Sequence, residues 1–271
     1  MRALIAAAAG SAAADALVFE TLAPTDWVRK GLEGLPPVAA GRFVVHGTHA
    51  RARVSVNRIG IEIEAALAFG TGHHGTTRGC LLGLDRIAKA RRSRPRASSV
   101  TPLSGRKRRK QALVLDIGTG TGVLAIAAAK ALRRPVLASD IDPRAVTIAR
   151  DNAHNNGAAA YIDTIRAAGL DARVFRERAP FRLIFANILL EPLRALATPI
   201  SRLVSRNGHV VLSGLLAGQA GAALASYRAR GLVLARRIPL EGWVTLVLVR
   251  QVRGSRGLPC GGSIAGRPPA P

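Results

Sequence analysis

Hydrophobic and polar positions follow a regular plan in the second half of the chain and a looser one before it. ALVLDIG (112–118) is an unbroken apolar run of strand length, and residues 124–132 follow as a helix. PVLASD (135–140) is a second strand. Asp142-Pro143 opens a helix reaching to about residue 156, with proline in the first turn, where its missing N–H costs nothing. Residues 172–175 give a short strand and FRLIFAN (181–187) a longer one. Residues 192–204 form a helix ended by Asn207-Gly208. HVVLSG (209–214) is a strand, 219–230 a helix ended by Gly231, and 232–238 and 243–250 two last strands. Strand and helix alternate and two strands close the chain. This predicts an open, mostly parallel α/β sheet with an antiparallel hairpin at one end.

The first half is less regular. Residues 1–40 read as an Ala-rich start and a linker, in which Thr25-Asp26 caps a short helix carrying Trp27 and Gly34-Leu35-Pro36-Pro37 ends it. Met1-Arg2 and the alanines after it have the outline of a signal peptide. The apolar stretch is short and broken at Gly10-Ser11, so an alanine-rich helical segment is the better reading. GRFVVHG (41–47) and residues 54–63 predict short strands, with Ile59, Ile61 and Ile63 on one face. The string from Phe69 to Thr77, FGTGHHGTT, precedes a helix with Leu81, Leu82, Leu84 and Ile87 on one side.

Charge changes this picture at two places. The 271 residues carry 40 Lys and Arg against 16 Asp and Glu, a formal net charge of +24, which draws the chain toward polyanions. Lys89 to Lys110 holds ten of the basic residues and no acid, with two prolines and four serines. It reads as a solvated loop or as an RNA-contacting arm. The Gly/Pro-rich stretch after Arg250 has little to bury and is expected to be disordered. Two cysteines, Cys80 and Cys260, exclude a disulfide-stapled scaffold. No apolar run reaches the roughly 20 residues of a membrane span.

The chemistry concentrates at strand ends. Asp116-Ile117-Gly118-Thr119-Gly120-Thr121-Gly122 lies at a strand-to-helix turn, where glycines let the backbone bend and approach a ligand. The last spacing is two rather than three, so this is not the dinucleotide fingerprint, and it suits a smaller, zwitterionic or nucleoside ligand. An ordinary tight turn is the alternative. Asp140, ending the next strand, can accept hydrogen bonds from both hydroxyls of a ribose, or else cap the following helix, a task for which Asp142 is better placed. Asn187 ends FRLIFAN at the same edge. Its amide can accept an N–H and aim a nitrogen lone pair, or cap the next helix. Thr76 and Thr77 offer hydroxyls from a loop over the cofactor. His74 is a candidate base without a visible carboxylate partner, and His73-His74 lacks a third ligand, so no metal site is expected.

VLDIGTGTG followed by SDIDP resembles the cofactor motifs of class I S-adenosylmethionine-dependent methyltransferases. ALAFGTGHHGTTRGCL, ARDNAHNNG, FANIL, VLSGLLAGQA and GWVTLVLVR resemble the ribosomal protein L-eleven methyltransferase (PrmA) family over about residues 20–250. The resemblance implies a Rossmann-like, seven-stranded class I methyltransferase sheet with an antiparallel C-terminal hairpin. It implies S-adenosyl-L-methionine as cofactor and methylation of lysine and N-terminal amines of large-subunit ribosomal protein L-eleven. Carried over by motif, the cofactor contacts are Thr77, Gly118, Gly120, Asp140 and Asn187, and Asn187 also meets the substrate amine. A cytoplasmic monomer is expected, with ribosomal RNA contacted through the basic stretch.

The chain departs from the family pattern in three ways. Too few residues precede Trp27 for the family's N-terminal substrate-recruiting domain, which gives a domain reading of 1–40 as its truncated remnant and linker, 41–250 as the methyltransferase domain and 251–271 as the tail. His73 and Gly75 stand where Thr and Pro are usual, and the 89–110 stretch is longer and more basic. Two other readings use the same residues: a methyltransferase acting on a nucleic-acid base nitrogen, and a non-catalytic RNA-binding relative.

Overall fold

The computed structural model describes residues 11–12, 36–63, 74–92 and 113–251, and the chain divides into two compact units, Met1–Leu35 and Pro36–Pro271. Of the first unit, Ser11 and Ala12 are described, as exposed helix. The expectations for the Trp27 helix, for Phe69 to His73, for most of the basic stretch and for the tail lie outside the described residues, as does the side chain of His74.

The second unit begins with a small sheet of β1 (Val38–Ala40), β2 (Phe43–His46) and β3 (Ile59–Glu62), in that order, antiparallel then parallel. The strand expected over 54–63 is therefore shorter. Thr48–Arg53 is a 3₁₀ helix, Arg58 closes a turn onto the Ser55 carbonyl, and Val56 is 99% exposed. Arg51 grips Glu62 with two bonds of 2.6 and 2.7 Å, which makes burial of the glutamate tolerable and holds its carboxyl below the usual range. β1, within the stretch read as linker, is three residues long, too short for a periodic signal.

A seven-stranded sheet forms the body. In chain order its elements are α1 (His74–Arg92), β4 (Val114–Ile117), α2 (Val123–Leu132), β5 (Val136–Asp140), α3 (Pro143–Asn155), β6 (Ile162–Arg166), α4 (Arg173–Arg178) and β7 (Phe181–Asn187). Then come α5 (Leu190–Ala195), α6 (Ala197–Leu203), β8 (Val204–Leu216), α7 (Ala220–Arg228), β9 (Leu232–Leu240) and β10 (Trp243–Arg250). The strand order is β6-β5-β4-β7-β8-β10-β9. β10 is antiparallel to both neighbours and the other pairs are parallel. Burial on both faces explains the apolar runs: all four residues of β4 are buried, as are Leu183 to Ala186 of β7. α2 is buried from Val123 through Ala129, its alanines small enough for a helix to lie close against its neighbours. On the opposite side of the core, Tyr227 is fully buried and donates its hydroxyl to the Leu193 carbonyl at 2.9 Å.

Three expectations are corrected. Residues 172–175 are not a strand but the start of α4, which buries only Phe175 along its length. The strand feeding this region is β6, unrecognised because it pairs with β5 alone and buries only Ile162 fully. The helix over 192–204 is two helices meeting at Leu196, and Asn207-Gly208 lies inside β8, where Asn207 takes φ 57° beside a register shift between β7 and β8.

Candidate functional site

The order of β4, β5 and β7 creates the site. From β4 the chain steps outward through β5 to β6, then returns to β7 on β4's other side, so the carboxyl ends of these strands flank a crevice. Gly118, Asp140 and Asn187 all stand at that edge.

The glycine turn is held from two sides. Gly118 and Thr119 donate their backbone N–H groups to the Ser139 carbonyl at 2.9 and 3.0 Å, and Asn152 of α3 donates its side-chain amide to the Thr121 carbonyl at 2.9 Å. Gly118 has φ +66°, and a Cβ on it would come within 2.6 Å of the Ile188 side chain. A Cβ on Gly120 would meet nothing within 4 Å among the described residues, so none of these crowds the turn. Beneath it, buried Asp116 accepts from the Thr119 hydroxyl at 2.7 Å and the Ala125 N–H at 3.1 Å through one oxygen. Its other oxygen is buried without a partner among the described residues. Desolvation, helped by the charge of Asp140 and opposed by the two hydrogen bonds, pushes the Asp116 carboxyl up to about 6.

Asp140 is half-buried. It accepts the Gly120 N–H at 2.9 Å on one oxygen and the Asp142 N–H at 3.0 Å on the other. Each oxygen keeps a lone pair for an incoming hydroxyl. The cap of α3 is Asp142, which accepts the Arg144 N–H at 2.8 Å, so Asp140 is not spent on that task. An open glycine turn, a carboxylate with spare lone pairs and an unpartnered buried carboxylate oxygen fit a ligand with vicinal hydroxyls and a positive charge.

Asn187 is not a helix cap either. The residue in that position before α5 is Leu189, without a side-chain capping bond. Asn187 instead donates its amide N–H to the Thr77 hydroxyl at 3.5 Å, across 110 residues of sequence. That leaves its carbonyl oxygen as the acceptor. The first turn of α1 is anchored from below: Ser213 donates to the Thr76 carbonyl at 3.1 Å and shares a 2.8 Å hydrogen bond with the Thr245 hydroxyl. Ile188, the residue after Asn187, is pressed from two sides. Gly118 is one. The other is Gly214, at φ +82°, where a Cβ would stand 2.4 Å from the Ile188 carbonyl oxygen.

The model of the family described as "Ribosomal protein L11 methyltransferase (PrmA)" matches residues 1–251. The chain belongs to this family. A ribosomal protein L11 methyltransferase of Rhodopseudomonas palustris is 54% identical over 250 residues, which cover 92% of this chain and 79% of that protein. One of Bradyrhizobium diazoefficiens is 53% identical over 248 residues, 92% of this chain and 78% of that protein. The crystal structure of a ribosomal protein L11 methylase from Lactobacillus delbrueckii subsp. bulgaricus is 26% identical with a TM-score of 0.63, covering 80% of this chain and 99% of that one. The resemblance read from the motifs is thus borne out, as are the seven-stranded methyltransferase sheet and the enzyme class.

For this PrmA-family chain the structure brings the Thr77 hydroxyl to the Asn187 side chain and the Gly120 backbone N–H to the Asp140 carboxylate. Sequence reasoning missed the residues that position them: Asn152, Ser213, Gly214 and Thr245. Asn152 lies in ARDNAHNNG and both Ser213 and Gly214 in VLSGLLAGQA, so their motifs were noted without a role. Ile141 was also missed. It is 66% exposed immediately after Asp140, an apolar side chain left at the crevice mouth.

Proposed function

We propose that the chain transfers a methyl group from S-adenosylmethionine to lysine and N-terminal amines of ribosomal protein L11, acting as a cytoplasmic monomer. The observation that carries this reading is the pairing of Asn187 with Thr77, which engages one amide N–H and leaves the carbonyl oxygen to accept from a donor such as an amine N–H. S-adenosylmethionine supplies a methyl group on a positively charged sulfur, a leaving group already activated. Asp140 would hold the ribose hydroxyls, Ile141 would lie against the adenine, and Gly118 and Gly120 would let the backbone come close. Thr77 would contact the cofactor from the opposite wall.

The chain's own part is positioning. Asn187 accepts one N–H of the entering amine through Oδ1, which directs the nitrogen lone pair along the line of displacement. The amine must arrive as the free base, because an ammonium has no lone pair. Desolvation in the crevice favours the uncharged form. Leu189, 69% exposed two residues after Asn187, is an apolar surface suited to the methylenes of a lysine side chain.

The test is incorporation of labelled methyl into purified ribosomal protein L11 and, in parallel, into ribosomal RNA. Transfer to the protein, lost in Asn187→Ala, is the expected result. Transfer to RNA alone would replace this reading with base methylation, and cofactor binding without any transfer would leave a non-catalytic relative.

A further inference from the structure

We propose that the amino edge of the seven-stranded sheet, opposite the crevice, is a docking surface for the phosphate backbone of RNA, centred on Arg91, Arg134 and Arg182. This sharpens the expectation of an RNA contact through the basic stretch. It needs nothing from the methyl-transfer reading.

Backbone pairing fixes the geometry. Leu113, just before β4, donates its N–H to the Pro135 carbonyl at 3.0 Å and accepts the Arg182 N–H at 2.9 Å. Arg134, just before β5, and Arg182, in β7, therefore flank the start of β4 on its two sides, about 10 Å apart at two strand spacings. Arg91, in the last turn of α1, completes the group: its guanidinium is destabilised by partial desolvation first, and then by the like charges of Arg182 and Arg134. None of the three pairs with a carboxylate among the described residues. The acids nearby are committed. Asp163 at the start of β6 pairs with Arg178 at 2.8 Å, and Asp85 pairs with Lys89 and Arg42.

Three guanidinium groups gathered at one edge, none paired with a carboxylate among the described residues, repel one another, so the arrangement is costly until an anion joins it. The same edge is where the chain leaves α1 at Arg92 and returns at Leu113, and the residues between are basic without a single acid. RNA fits better than the other polyanions. Guanidinium forks match phosphate oxygens in pairs. Residues 93–112 hold only Val100 and Leu103 as large apolar residues, too few to enter a lipid surface.

The experiment measures binding of a fluorescein-labelled RNA hairpin to the full chain between 50 and 300 mM salt. It compares wild type, R91Q/R134Q/R182Q and R91K/R134K/R182K. Each phosphate contact contributes about 0.7–0.9 to the slope of log affinity against log salt, so the Gln variant should lose about 2 to 3 from that slope, and the Lys variant should keep most of it. Without RNA at low salt, the Gln variant should melt no lower than wild type, because repulsion has been removed. It should methylate free L11 at the wild-type rate, which keeps failure of this proposal separate from failure of the methyl-transfer reading. An unchanged slope in the Gln variant overturns the proposal. So does loss of the whole slope on neutralising Arg106 to Lys110 alone, or equal binding of phosphatidylserine vesicles or polyglutamate at the same salt.

Discussion

The two edges of the central sheet are built from the same strands and do opposite things with charge. At the carboxyl edge, Asp116 and Asp140 stand at the ends of β4 and β5, and Glu241 sits in the turn between β9 and β10, where it pairs with Arg78. At the amino edge, Arg134 and Arg182 precede or open β5 and β7, and Arg250 ends the reversed strand β10, its guanidinium donating to the Ser201 and Val204 carbonyls. Asp116 is buried, Asp140 is engaged by backbone N–H groups and Glu241 is paired with Arg78, so that edge is pre-set for one small cationic ligand. Arginines at the amino edge are partly exposed and mutually repulsive, so that edge suits a large anion. The first should respond to pH and the second to salt.

The largest effect expected at the carboxyl edge comes from Gly214→Ala. The new Cβ would meet the Ile188 backbone, which cannot rotate away, and φ +82° adds its own strain. The cost should be roughly 3 kcal/mol or more in unfolding free energy, with methyl transfer falling at least as far because Asn187 is next in the chain. Gly120→Ala is the control: it also strains φ but meets nothing within 4 Å among the described residues, so its cost should stay near 1–2 kcal/mol. Equal losses in urea unfolding would show that the pressure on Ile188 is not what Gly214 is for.

Asp116→Asn tests the pH response. Burial raises this carboxyl from 3.8 to about 6, so the folded chain holds the proton more tightly than the unfolded chain does. Stability from this group is therefore present below pH 4 and lost as pH rises to about 6, roughly 2–3 kcal/mol in all. The amide keeps an acceptor for Thr119 and Ala125 without the charge. Its stability relative to wild type should rise across that window in denaturant titrations at stepped pH. Glu62 and Asp85, whose carboxyls are lowered by arginine and lysine partners, shift stability in the other direction in both proteins and cancel in the difference.

A smaller effect is expected from Asp140→Ala. A charge-assisted bond to ribose is worth roughly 1.5–3 kcal/mol, so calorimetric affinity for S-adenosylmethionine should fall about tenfold or more while the fold persists. Unchanged affinity in a folded variant would remove Asp140 from the ribose.

What could be read from the sequence follows burial. β4 and β7 are covered on both faces and appear as continuous apolar runs, so their ends, and with them Asp116 and Asn187, could be placed at one edge. β6 is an outer strand with half-exposed residues, and α4 buries one side chain, so neither leaves a periodic signal. In the site, Asp140 was legible from its strand end. Thr77 was legible only through the family's motif, because its partner lies 110 residues away. Ser213 and Thr245 were illegible for the same reason: small hydroxyls inside apolar strands look like packing until Thr76, 137 residues before Ser213, is seen above them.

The central claim is that Asn187 orients the acceptor amine rather than merely closing a strand. Single-turnover methyl transfer to ribosomal protein L11, measured beside cofactor affinity, tests it most directly. Asn187→Ala should slow transfer by about 2–4 kcal/mol in the barrier while Asp140 and the glycine turn retain much of the cofactor affinity. Asn187→Asp should also be slow, because a negative charge beside the sulfonium stabilises the ground state that loses its charge on transfer. Transfer at the wild-type rate by Asn187→Ala would contradict the claim.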